Sequence, residues 1–302
     1  MAFYDRAIVR LLPAVPRPVV KRLSSRYIAG EALEDASRVV GELNAEGKLA
    51  TVDVLGEEIV SRAEAKAITQ AYLDVLDEIE RAGLDANVSV KPTGLGLKLD
   101  LGFCRANLET VVRAAAGRGN FVRIDMEDAS TTDDTLALYR ELREARLDNV
   151  GVVLQASLRR SVADVAALAD LRPNVRVCKG IYVEEESIQF RDFDAVRASF
   201  VRVLEELIAA ECYVGIATHD EWLIAEGRRL AVGRPHEFQM LLGVRTHLGD
   251  ELVREGRRLR IYVPYGRQWY AYSLRRLQEN PKIAGYVAAD TFSRLRPGRR
   301  VA

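Results

Sequence analysis

Near its C-terminus the sequence sets two adjacent arginines and a tyrosine at helical spacing, just after a strand-like run. The run Arg260-Ile-Tyr-Val-Pro-Tyr-Gly266 reads as a short strand entering a Pro/Gly turn, and Trp269-Tyr-Ala-Tyr-Ser-Leu-Arg-Arg-Leu-Gln-Glu279 reads as a helix. At about 3.6 residues per turn, Tyr272, Arg275, Arg276 and Glu279 share one narrow face. Two planar guanidiniums side by side suit bidentate capture of a small carboxylate. A solvated helix face with an Arg/Glu pair has the same pattern, and spacing alone leaves both readings open.

Other residues with chemical potential close apolar runs: Asp53, Lys91, Asp125, Gln155, Arg176, Lys179, Thr218-His219, Gln239 and Tyr262. One charged residue at such a place is ordinarily the root of a solvated loop. A series of them converging on one rim would be costly to desolvate unless they pair or hold a ligand. Lys91 and Asp125 end neighbouring runs, so an ion pair across a pocket floor is natural, either orienting a substrate or neutralising a buried charge. Arg176, Gln155 and Gln239 offer donors of the kind that grip a heteroaromatic ring or phosphate oxygens. His219 reads equally as a phosphate donor, a general acid/base or a structural histidine. Cys178 lies inside an apolar run and reads as inert. A lysine at this kind of position, Lys91 or Lys179, is also what a Schiff-base aldolase shows.

The elements that must position these residues are legible as alternation. Strands are predicted at Ala50–Leu55, Asn87–Lys91, Phe121–Met126, Gly151–Gln155, Val175–Lys179, Tyr213–Thr218, Glu237–Leu241 and Arg260–Val263, each compact and apolar enough to be buried on both faces. Helices are predicted between them, from Ser61–Ala82, with Ser61 and Glu64 as a capping box, to Gly249–Glu255. Eight such repeats predict a closed (βα)8 barrel over residues 48–302, preceded by a helical extension over residues 1–47 and finished by the helix carrying Arg275 and Arg276. A doubly wound open sheet is the alternative, disfavoured because no G-x-G-x-x-G follows an early strand.

Composition narrows the function classes. Lys plus Arg and Asp plus Glu both total 44, and the basic residues are scattered, so no nucleic-acid surface is expected. Three distant cysteines without a C-x-x-C fit reduced thiols in the cytoplasm, and the three histidines have no metal-ligand spacing. No run is long enough to span a membrane. The basic, proline-interrupted Met1–Leu23 segment can rest on an anionic membrane surface or pack as a covering helix.

Taken in order, Val88-Ser-Val-Lys-Pro-Thr93, Val122-Arg-Ile-Asp-Met-Glu127, Val152-Val-Leu-Gln-Ala156, Arg176-Val-Cys-Lys-Gly-Ile-Tyr182, Ala217-Thr-His-Asp220, Glu237-Phe-Gln-Met-Leu241, Arg260-Ile-Tyr-Val-Pro-Tyr-Gly266 and Tyr272-Ser-Leu-Arg-Arg276 resemble proline dehydrogenase. The short monofunctional bacterial form is the closer likeness, with the corresponding domain of the bifunctional proline utilisation A proteins also similar. The resemblance spans about residues 30 to 290, and the ordered set is far more specific than any one piece. It implies a distorted (βα)8 barrel with its C-terminal helix over the mouth, noncovalent FAD, oxidation of L-proline to Δ1-pyrroline-5-carboxylate in the first step of proline catabolism, and a membrane quinone as acceptor. It further implies a peripheral contact at the inner face of the cell membrane and a pyrroline-5-carboxylate dehydrogenase as partner. By position, Arg275 and Arg276 match the carboxylate clamp, Lys91 and Asp125 the pair lining the proline site, and Tyr262, Tyr272 and Leu241 the packing around the ring. Gln155, Arg176, Lys179, Thr218, His219, Gln239 and Glu279 match flavin-binding positions, and Cys178 one that presents backbone to the flavin. Ile181 departs from the family's frequent Ala, and the Leu241-Leu-Gly-Val-Arg245 run lacks the His that follows this Leu in the bifunctional proteins. A tyrosine at 262 favours proline over its 4-hydroxy analogue.

Overall fold

The computed structural model describes residues 26–56, 59–270 and 272–273. Eight parallel strands close into a barrel in sequence order: β1 Leu49–Val54, β2 Ala86–Val90, β3 Val122–Ile124, β4 Val150–Gln155, β5 Asn174–Cys178, β6 Tyr213–Ala217, β7 His236–Leu241 and β8 Leu259–Tyr265. The closing pair, β8 with β1, runs from Leu49 opposite Arg260 to Val54 opposite Tyr265.

Eight α-helices lie among the described residues: α1 Leu33–Ala45, α2 Arg62–Ala82, α3 Leu101–Gly117, α4 Thr132–Glu144, α5 Ser161–Leu168, α6 Phe193–Ala209, α7 Glu221–Leu230 and α8 Thr246–Arg254. Helix α2 begins as its capping box requires, with Ser61 Oγ accepting from the Glu64 amide and the Glu64 carboxylate accepting from the Ser61 amide. Helix α8 starts three residues before the expected Gly249. β8 runs past the expected Val263 through Pro264, which is tolerated because pairing with β7 has stopped at Tyr262. The Pro264 carbonyl, on the side away from β1, accepts from the Ala29 amide at 2.9 Å, so the missing N–H falls where no strand lies.

The strands are not apolar on both faces. Outward residues such as Val52, Val88, Ile124, Val177, Ile216, Phe238 and Val263 are buried in the core beneath the helices. Most inward residues are polar: Thr51, Asp53, Ser89, Arg123, Asp125, Gln155, Arg176, Glu237, Gln239, Arg260 and Tyr262. A barrel of this class ordinarily fills its interior with branched aliphatic side chains. Here the interior is a hydrogen-bonded ionic column, an alternation that stays hidden when the segments are read for mean apolarity. Gly215 on β6 makes room for it, since a Cβ there would lie 2.5 Å from Gln239 Nε2.

Helix α1, ahead of β1, packs on both β8 and β1 and so covers the outer face of the seam where the last and first strands pair. Residues 269–270 and 272–273 are helical, and the Ser273 hydroxyl donates back to the Trp269 carbonyl at 2.6 Å. Tyr272 packs with Ile28, Leu55 and Trp269. Residues just before α1 hold this corner, because Gly266 N–H donates to the Gly30 carbonyl at 3.0 Å.

Candidate active site

A cavity of about 1060 Å³ opens at the C-terminal ends of the strands. Lys91, Asp125, Gln155, Arg176, Cys178, Lys179, Thr218, His219, Gln239, Leu241, Tyr262 and Tyr272 all line it. Arg275, Arg276 and Glu279 lie outside the described residues.

Its floor is a compact charged cluster. Lys91 Nζ lies 2.6 Å from Asp53 Oδ1 and 3.8 Å from Asp125 Oδ2. The expected Lys91–Asp125 contact is thus the longer of two, and Asp53 is the closer partner. Asp125 instead accepts from Arg176 Nη1 at 2.6 Å, Ser89 Oγ at 2.6 Å and the Tyr262 hydroxyl at 2.9 Å. Lys91 in turn donates to the Tyr262 oxygen at 2.9 Å. Two carboxylates and two cations balance, which is the condition under which a buried ionic cluster is tolerable. Burial, then the Asp125 and Asp53 charges, pushes the Tyr262 phenol well above its ordinary pKa, so it stays a protonated donor. Deeper in the column, burial and then the neighbouring Arg176 charge pull Arg123 down to about 9.

One expectation about donors is corrected. Gln155 spends Nε2 on the Met126 and Glu127 carbonyls, both at 3.0 Å, which leaves its Oε1 as an acceptor for a ligand. Gln239 is engaged at both ends, donating to Glu237 at 2.6 Å and accepting from Arg176 Nε at 2.5 Å.

On the β6–β7 side, the Leu241 amide donates to His219 Nε2 at 3.0 Å. Nε2 must then be unprotonated, and a neutral ring carries its proton on Nδ1. At the rim, Asp220 binds Lys179 at 2.6 Å and Arg197 at 2.7 Å. Burial alone would raise the Asp220 carboxyl, but its hydrogen bonds to Arg197 and Lys179 hold it well below the usual carboxylate range. Phe193 lies under both cations, 4.4 Å from Lys179 and 4.3 Å from Arg197, and Trp222 is 5.3 Å from Arg197. Gly180, at φ +93°, sits where a Cβ would lie 2.5 Å from Ser157 Oγ, so the backbone between Lys179 and Ile181 approaches the end of β4 closely. Ile181 is half-exposed at the rim. Burial pushes the Cys178 thiol up to about 11, in keeping with an inert residue.

Tyr182, Arg197, Asp220 and Trp222 belong to the site although the sequence assigns them no role, and Asp53, read from sequence only as a strand-end residue, is the near partner of Lys91. The available signal is positional: Arg197 and Trp222 lie in the opening turns of α6 and α7, which ring the mouth of such a barrel.

Three comparisons bear on this geometry. The sequence profile of the family described as "Proline dehydrogenase" matches residues 36–289. "Proline dehydrogenase" of Deinococcus radiodurans is 36% identical over 303 residues, covering 94% of this chain and 96% of that protein. "Proline dehydrogenase 1" of Bacillus subtilis is 34% identical over 267 residues, 87% of this chain and 88% of that one. Among solved structures, proline utilization A (PutA) from Bdellovibrio bacteriovorus superposes with a TM-score of 0.82 at 24% identity, and shares the fold. The match covers 92% of this chain but only 36% of that one. With a barrel, a strand-end cavity and near full-length relatives in agreement, the chain belongs to the proline dehydrogenase family.

Proposed function

We propose that this protein is an FAD-dependent proline dehydrogenase that oxidises L-proline to Δ1-pyrroline-5-carboxylate, the first step of proline catabolism. The observation that carries the reading is the charge-balanced Asp53–Lys91–Asp125–Arg176 floor beneath the cavity. It is coupled to Tyr272, which brings the start of the last helix to the same cavity. Arg275 and Arg276 follow Tyr272 by three and four positions in the sequence and are assigned to the proline carboxylate, with Glu279 assigned to the flavin group.

The residues fit a flavin dinucleotide. The cavity exceeds the ~300–1,000 Å³ typical of a single small ligand, which leaves room for a dinucleotide together with an amino acid. Gln155 offers an acceptor to a ring N–H, and Arg176 offers its remaining guanidinium hydrogens to a ring edge. Lys179, Thr218 and His219 supply donors for the rest of the group, with the backbone at Cys178 and Gly180 against it and Phe193 and Trp222 as flat surfaces beside it. Bound FAD supplies the hydride acceptor, N5.

Tyr262, Tyr272 and Leu241 enclose the five-membered ring and hold its reacting carbon in place, and orientation of this kind can contribute ~7–11 kcal/mol. Arg176 stabilises negative charge that develops on the acceptor side. Lys91, ion-paired to Asp53, acts as an orienting ammonium and not as the base that removes the amine proton. Electrons pass on to a membrane quinone, with a peripheral contact at the inner face of the cell membrane, and the product passes to a pyrroline-5-carboxylate dehydrogenase. Among the described residues no helix is long and apolar enough to cross a membrane.

The test is the visible spectrum of the purified protein under anaerobic conditions. A flavin band that bleaches on adding L-proline supports the reading. A colourless protein that takes up no FAD, or a yellow one that proline leaves unbleached, refutes it.

A further inference from the structure

We propose that Glu237, which is not among the residues lining the cavity, is a positioning residue that fixes the side-chain geometry of Arg176 through the amide of Gln239. An ionised carboxylate can only accept hydrogen bonds, and a guanidinium can only donate them. Gln239 stands between one of each: Nε2 donates to Glu237 Oε1 at 2.6 Å, and Oε1 accepts from Arg176 Nε at 2.5 Å. The amide therefore has one orientation. Reversed, its NH2 would face the Arg176 N–H and its oxygen would face a carboxylate.

Glu237 is itself immobilised. It is buried at 3% exposure, and Arg260 grips it through Nε at 2.6 Å and Nη2 at 3.1 Å. The Tyr213 hydroxyl donates to its second oxygen at 3.1 Å, and Arg260 is anchored to the Ala50 carbonyl at 2.7 Å. Burial alone would raise its carboxyl, but the Arg260 charge and hydrogen bonds bring it below the ordinary range, so it stays ionised. Gly215 leaves the space that the Gln239 amide occupies.

Upward, the chain ends on a ligand-facing group. Arg176 has Nε on Gln239 and Nη1 on Asp125 at 2.6 Å and Ser89 at 3.2 Å. Nη2 has no hydrogen-bond partner among the described residues, and the side chain lines the cavity. Two of the three guanidinium nitrogens are thus fixed by protein acceptors so that the third is presented to the site. That Nη2 meets a flavin rests on the function proposed above; that Glu237 sets the guanidinium plane does not.

The test compares the full-length protein with Glu237→Gln and with the charge-conserving exchange Glu237→Gln/Gln239→Glu. The exchange moves the obligatory acceptor up to Arg176 while taking the carboxylate away from Arg260. Two readouts are used: hydrogen exchange of the Arg176 Nε–H by nitrogen-15 NMR, assigned with Arg176→Lys, and the FAD dissociation constant. Glu237→Gln is expected to speed exchange and weaken FAD by about tenfold or more, the scale for one buried hydrogen bond left unmade. The exchange variant is expected to restore slow exchange. Should Glu237→Gln fail to fold, Glu237→Asp, which keeps the charge but shortens its reach, is expected to show the same two effects more weakly. Wild-type exchange in Glu237→Gln overturns the proposal, as does an exchange variant as fast as the single mutant, since Glu237 would then serve only as counter-ion to Arg260. If no variant, nor the wild type, takes up FAD, the functional reading fails while the exchange data still decide this one.

Discussion

Replacing Asp53 by Asn isolates the ion pair at the cavity floor with little change of shape. Asp53 is fully buried and Lys91 nearly so, with 2.6 Å between the charged atoms. The substitution leaves the floor one positive charge in excess, with Asp125, at 3.8 Å, the remaining carboxylate beside Lys91. Breaking a buried pair from one side costs about 3–5 kcal/mol, because the other charge stays desolvated. Unfolding entropy near the midpoint scales to ~0.6 kcal/mol per kelvin for a chain of 302 residues, so the expected fall in Tm is about 5–8 °C. Calorimetry of Asp53→Asn, Lys91→Met and the double variant measures it. The double variant is expected to lose much less than the two singles together, since it removes both charges at once. A Tm within about 1 °C of wild type for Asp53→Asn, or strict additivity in the cycle, would show that the floor is not held by this pair.

Arg275→Ala and Arg276→Ala are each expected to raise the KM for proline by ~10–100-fold, the scale of one charge-assisted hydrogen bond, with flavin content unchanged; steady-state kinetics beside the visible spectrum checks this. Asp220 titrates below its unfolded value, so its pairing with Lys179 and Arg197 adds stability that is fully present above about pH 5 and is lost as pH falls through the folded pKa. The stability gap between wild type and Asp220→Asn in denaturant titrations should therefore be constant from neutral pH down to about pH 5 and shrink below it toward pH 3, and a gap unchanged between pH 5 and pH 3 would count against the assignment. Cys178, pushed up to about 11, is expected to react with thiol reagents at pH 8 far more slowly than free cysteine, and Cys178→Ala should keep its flavin.

Much of this site is legible in the sequence because a parallel barrel turns linear order into a ring. Once eight apolar runs alternate with helices, the residues that end them must meet at one face, and twelve of the fifteen site residues named from sequence line one cavity. Pairing within the ring is less legible. Strand adjacency matches Lys91 to Asp125, yet β1 is equally a neighbour of β2, and Asp53 reaches Lys91 more closely. Sequence gives adjacency on both sides but not side-chain reach. Amide orientation is also out of view: the turn of Gln155 depends on the Met126 and Glu127 carbonyls, backbone atoms that no residue type reveals. Arg197 and Trp222 escape a sequence reading because a helix start carries no marker for which of its residues leans over the mouth.

The polar interior and the placement of α1 are connected. An ordinary barrel of this kind stabilises itself twice, with aliphatic layers inside and a helix sandwich outside. Here the inner layers are replaced by the column running from Arg260 and Glu237 through Gln239, Arg176 and Asp125 to Lys91 and Asp53. Such a column gives geometric definition more than net stability, because its desolvation cost offsets much of its attraction. The apolar sandwich outside the strands must then be complete, including over the seam where β8 pairs with β1. Helix α1 covers that seam from the N-terminal side of the chain. A sequence with the usual order would have to cover it with the segment following β8, and Tyr272 would then be drawn outward and away from the cavity. With the seam covered by α1, Ile28, Leu55 and Trp269 hold Tyr272 against the mouth. Truncation of α1 should therefore do two separable things: lower Tm by opening the β8–β1 seam, and raise the KM for proline by releasing Tyr272. A truncated protein with reduced Tm but unchanged KM would break that connection.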